Sequence, residues 1–150
     1  MYLHYKIAMP ATFRLVRVLG REFLKNYVEQ LGERVADGDE LAEEVLEYFQ
    51  EILRLSEEEG EADYVEELEE AYDPEIHGRL FSPTIVKLLS TIASGEVESV
   101  SQLARKLGRD VGNVYRDLKW LESLGLVYLE NNGRKKAPRL LVLEYGVRFA

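Results

Sequence analysis

The chain has 150 residues and a mass of 17.3 kDa, a length that suits one ordinary domain or two small ones. Hydrophobic residues make up 46% and charged residues 31%, which excludes intrinsic disorder. The absence of cysteine excludes disulfides and thiolate metal sites. No apolar run reaches the ~18–20 residues of a membrane span. The start, Met1 to Met9, has one Lys and interrupted hydrophobicity, unlike a signal peptide. These features set the expectation of a cytoplasmic protein without membrane contact.

The net charge of −9 hides a division. Residues 1–80 hold 8 Lys/Arg against 21 Asp/Glu, a net −13, whereas residues 81–150 hold 11 against 7, a net +4. Such asymmetry suggests separate tasks, with the basic part the candidate for a polyanion.

Residues 1–9 read as a short strand or an ordered tail. From Ala11 to Val35 apolar residues recur at three- and four-residue spacing (Leu15, Val16, Leu19, Phe23, Tyr27, Leu31), which predicts one long amphipathic helix. Asp37-Gly38-Asp39 breaks it and offers a cap for a second helix through Leu41, Val45, Phe49 and Ile52. After a polar break at 56–60, an acidic helix is predicted from Ala62 to Tyr72, ended by Asp73-Pro74. Ser82-Pro83 is a strong helix start, and Gly95 closes that helix. Ser99 with Gln102 has the capping-box spacing for a helix that stops at Gly108. Asp110 caps a third, from Val111 to Leu124. Two strand-like runs, 126–130 and 139–144, flank Asn132-Gly133, a hairpin signal.

Three short helices and a hairpin spell a winged helix-turn-helix, whose later helix enters the major groove of DNA. On a helical wheel Val111, Val114, Leu118 and Leu121 face the core. The opposite face presents Gly112, Asn113 and Arg116, with Tyr115 and Lys119 at its edges. Asn suits adenine and Arg suits guanine, while Gly112 lets the backbone approach. Arg134, Lys135 and Lys136 at the hairpin tip suit phosphates.

The run from Leu103 to Val127 carries Gly108-Arg109-Asp110-Val111, Asn113-Val114, Arg116-Asp117-Leu118 and Leu124-Gly125-Leu126-Val127. It resembles the winged helix-turn-helix of archaeal transcription regulators related to the MarR and ArsR groups, over about residues 82–146. The resemblance implies a DNA-binding regulator, usually dimeric. Plainer readings stand beside it: such modules also dock proteins, Arg116, Lys119 and the tip cations also suit a solvated surface, and Tyr115 and Trp120 also suit packing.

Catalysis is not expected. His4 and His77 are the only histidines and stand apart, no nucleophile–base spacing appears, and no Gly-rich phosphate loop exists. Asp63, Glu66, Glu67 and Glu70 share one segment that could hold a divalent ion, though a solvated acidic face accounts for them. The expectation is therefore a mainly α protein without cofactor. Residues 1–77 form an acidic helical region for dimerisation or interaction, and 78–150 a winged helix-turn-helix with a β-hairpin wing. Its function would be sequence-specific binding of double-stranded DNA in transcription regulation, as a homodimer, with a protein partner for the N-terminal helices. The surplus apolar positions of the 11–35 helix, Phe13, Val18 and Phe23 among them, point to a two-fold mate. The alternative is a protein-interaction adaptor or antitoxin-like protein working through the acidic half.

Overall fold

The computed structural model describes residues 11–60 and 63–149. Among the described residues the chain is a mixture of α and β, 55% helical and 27% strand, with two antiparallel sheets. This corrects the expectation of a mainly α protein closing on a winged helix. The order is β1 (Thr12–Gly20), α1 (Arg21–Ala36), α2 (Glu40–Glu59), β2 (Asp63–Ala71), α3 (Pro74–His77), a 3-10 turn (Gly78–Phe81), α4 (Pro83–Ala93), α5 (Val100–Leu107), α6 (Val111–Ser123), β3 (Val127–Asn132), β4 (Lys135–Leu140) and β5 (Val142–Arg148). One sheet has the order β2-β1-β5, and the other is the hairpin β3-β4. Among the described residues no helix is long and apolar enough to cross a membrane.

Three local readings change with it. Residues 12–20, expected to open the first helix, are a strand in which Phe13, Leu15, Arg17 and Leu19 are buried in strict alternation, the period of a pleated strand. Arg17 at an inward position disguised that period, because the remaining apolar residues also fit helical spacing. Its guanidinium is held by a hydrogen bond to the Gly125 carbonyl (3.2 Å). With Phe13, Leu15, Val16 and Val18 in a strand, the surplus apolar helix face disappears, and with it the argument for a mate there.

The acidic segment expected as a helix is strand β2. Its glutamates favour helix on propensity alone, but pairing with β1 overrides that preference, as tertiary context often does in sheets. The second strand-like run divides in two. The amides of Leu141 and Val142 both donate to the Leu126 carbonyl (2.9 and 3.2 Å), turning the chain out of the hairpin, so that β5 pairs antiparallel with β1. The reading of residues 1–9 lies outside the described residues.

The chain divides into two compact units, with the boundaries inside β1 and β2. The unit of residues 18–66 contains α1 and α2. Leu24, Tyr27 and Leu31 of α1 and Phe49 and Ile52 of α2 are buried, and Tyr27 meets Phe49 edge to face at 5.0 Å. Asp39 caps α2 by accepting from the Ala42 amide and is also bound by Arg34 (3.0 Å). Gly60 ends α2 at φ 71°, where an L side chain is strained.

The other unit runs to Arg17 and resumes at Glu67. Its core gathers Phe13 and Leu15 of β1 with Leu88, Leu103, Val114, Leu118, Leu121 and Leu126. On the opposite face of its sheet Glu69 accepts from the Thr12 hydroxyl (2.6 Å) and lies 3.7 Å from Arg148 and 3.9 Å from Arg14. The Thr12 hydrogen bond first, then the two guanidinium charges, hold the Glu69 carboxyl below its ordinary value of 4.5. A carboxyl lowered in the folded state adds stability above its ordinary pKa and loses it as pH falls through the lowered one. Glu69→Gln is accordingly expected to lower the thermal midpoint at neutral pH, with the gap from the parent closing in acid. Melts followed by circular dichroism across that range check this, and a gap independent of pH contradicts it.

Candidate nucleic-acid interface

Helices α4, α5 and α6 each start on a side-chain cap. Ser82 accepts from the Ile85 amide (3.3 Å), Ser99 from Gln102 (3.0 Å) and Asp110 from Asn113 (3.0 Å), so all three starts lie where the sequence placed them. Gln102 in turn accepts from the Glu98 amide (2.6 Å). Gly108 ends α5 at φ 65°, and Gly108–Asp110 turns the chain into α6. The hairpin needs only Gly133 and Arg134 between its strands, with Asn132 opposite Lys135. Gly133 has φ 67°, the sign that a type II′ connection demands of its first residue.

Core packing fixes the rotation of α6. Val114, Leu118 and Leu121 have no exposure. Val111, expected to join them, is instead 47% exposed, since it precedes the first full turn inward. Asp117 is buried beside the leucines and binds two guanidinium groups, Arg79 and Arg109, the latter at 2.7 Å. Arg79 also lies over the Trp120 ring, 4.6 Å from its centroid, a cation–π contact. Trp120 therefore packs within this unit. The sequence offered no signal for the Asp117 pair, because its partners are 38 and 8 positions away.

All seven sequence-predicted residues are exposed, but they form two neighbourhoods. Asn113, Arg116 and Lys119 lie on the outer face of α6. Arg116 donates to the Asn113 side-chain oxygen, and Lys119 pairs with Glu122 at 2.9 Å. Tyr115, Arg134, Lys135 and Lys136 instead line a groove of about 580 Å³ together with Arg105 of α5 and Gly112 of α6. Arg105 was missed: nothing in its spacing sets it apart from Lys106, the other cation of α5. A Cβ at Gly112 would stand 3.1 Å from the Asp110 carboxylate, so the missing side chain also keeps the α6 cap uncrowded.

Other polar centres have structural partners. The buried His77 ring is stacked on Phe13 at 4.2 Å. Its Nδ1 accepts from the Asp73 amide (2.9 Å), which leaves Nε2 to carry the proton donated to Glu70 (2.7 Å). Glu66 is bound by the Tyr48 hydroxyl. Among the described residues no cluster of metal-ligating side chains occurs.

The model of the HVO_A0114 family matches residues 80–143, from the 3-10 turn through α4–α6 and the hairpin into the start of β5. No curated protein matches the chain. Asp117→Asn is expected to lower the unfolding free energy by about 1–3 kcal/mol, the range for a hydrogen-bonded buried charge, with α6 losing its tie to Arg79 and Arg109. Denaturant melts check this. A variant as stable as the parent contradicts it.

Proposed function

We propose that the chain binds double-stranded DNA as a transcription regulator, with α6 in the major groove and the β3-β4 tip on the backbone, and without catalysis. The observation that carries this is the exposed face of α6, with Asn113 and Arg116, beside a groove holding Arg105, Arg134, Lys135 and Lys136. A major groove about 12 Å wide admits one helix. The neighbouring cations suit phosphates, which position a protein without reading sequence. The net +4 of residues 81–150 favours a polyanion, and the resemblance to archaeal regulators falls on the same segment. Binding of this kind also carries the expectation of a cytoplasmic location.

A protein-contact role for the acidic half is the second reading. Its support is Leu41, Val45 and Tyr48, exposed at i, i+4 and i+7 on α2.

Selection from a random duplex pool, followed by titration of variants, tests the first reading. Arg116→Ala is expected to cost about 1–3 kcal/mol at the selected site and to relax preference at one base pair. Lys135→Ala is expected to weaken all duplexes alike and to flatten the salt dependence by about one unit of slope. Selection that yields no duplex, even at low salt, removes the DNA reading and leaves the protein-contact one.

A further inference from the structure

The two edges of the three-stranded sheet are unlike. The β2 edge carries Asp63, Glu66, Glu67, Glu69 and Glu70 in nine residues, and charge of this density is the usual protection of an edge against strand addition. The other edge, β5, pairs only with β1 among the described residues and has two charges, Glu144 and Arg148, in its seven. The pairing with β1 shifts between Val16 and Arg17, leaving Leu143 as an extra residue that is 67% exposed. Beyond it, Glu144 to Arg148 runs in regular register, followed by Phe149 at 80% exposure.

We infer that the β5 edge pairs antiparallel with β5 of a second copy of this chain, about a two-fold axis through Gly146, joining the two sheets into one of six strands. The inference is independent of the DNA reading. The sequence of β5 selects both the occupant and the register. With Gly146 opposite itself, Glu144 of each copy lies opposite Arg148 of the other, twice over, and Leu143 lies opposite Phe149. Shifting the axis to Tyr145 loses both charge pairs. An isologous contact must be complementary to itself, and this five-residue run satisfies that condition.

The charges also extend an existing row. Thr12 stands opposite Arg148, and Glu69 reaches both across the sheet face. A second copy would add its Glu144 on the far side of Arg148, so carboxylates would flank that guanidinium from both directions. Opposite charges directly across antiparallel strands stabilise the pair, and like charges destabilise it.

The full chain tests this directly, because it has no cysteine of its own and a Cβ at Gly146 would meet open space. Residues opposite each other in antiparallel strands have Cα atoms about 4.5–5.5 Å apart, inside the range a disulfide spans. On mild oxidation Gly146→Cys is expected to give a disulfide-linked dimer. Leu143→Cys, at the more exposed position but ~20 Å from its own copy, is expected to stay unlinked. Glu144→Arg and Arg148→Glu are each expected to weaken association roughly tenfold. An equimolar mixture of the two variants sets opposite charges together at both positions and is expected to recover association in sedimentation. A parent chain that stays monomeric at all micromolar concentrations overturns the inference. So does a folded Gly146→Cys variant that gives no crosslink, or a dimer indifferent to both charge variants.

Discussion

Burial of one face of α6 sets what the helix can offer. Val114, Leu118 and Leu121 have no solvent exposure, and fully burying side chains of this size is worth about 1.5–3 kcal/mol each. Rotating α6 would forfeit that burial and drag Asp117 away from Arg79 and Arg109. Hence Asn113 and Arg116 can point only outward, one turn apart on the same exposed face. The short turn Gly108–Asp110 and the capping carboxylate of Asp110 fix where α6 begins, which places Gly112 and Tyr115 beside the hairpin cations. The candidate interface follows from packing on the opposite side of the helix.

The sheet β2-β1-β5 does for the ends of the chain what α6 does for its middle. Its strands come from positions far apart in sequence, so the loop-closure entropy of bringing them together must be offset by burial and by paired backbone groups. Phe13 and Leu15 supply burial, joining the core that also holds Leu118. The alternate positions of the same strand supply the Glu69 network with Thr12, Arg14 and Arg148. Arg17 breaks the apolar alternation yet keeps it in space, since its carbonyl partner on Gly125 lets a guanidinium occupy an inward position.

Local signals were legible where the chain builds them from near neighbours. Ser82, Ser99, Asp110 and Asp39 each declare a helix start, because a cap bonds an amide two or three residues on. Gly133 declares a turn, because only its backbone makes positive φ inexpensive. Long-range pairing was not legible. Glutamates in β2 and the mixed pattern of 12–20 both favour helix when read alone, and only the partner strand reverses them. The same holds for β5, whose mate β1 lies more than a hundred positions away. At the candidate site, the exposed cations of α6 were readable from periodicity and those of the tip from the Asn132-Gly133 turn signal, whereas their sorting into two neighbourhoods and the inclusion of Arg105 needed the fold. Asp117, which anchors α6, bore no local mark of its buried pairing, because Arg79 and Arg109 reach it only in the fold.

Nuclear magnetic resonance of the isotope-labelled chain, titrated with a mixed-sequence duplex at low salt, measures the central claim directly. No operator sequence is needed, because phosphate contacts dominate such binding. The account predicts that amide shifts concentrate on α6 from Gly112 to Lys119, on Gly133 to Lys136 and around Arg105, with α1 and α2 unmoved. Shifts centred on α1 and α2, or none at all as duplex is added, would contradict it.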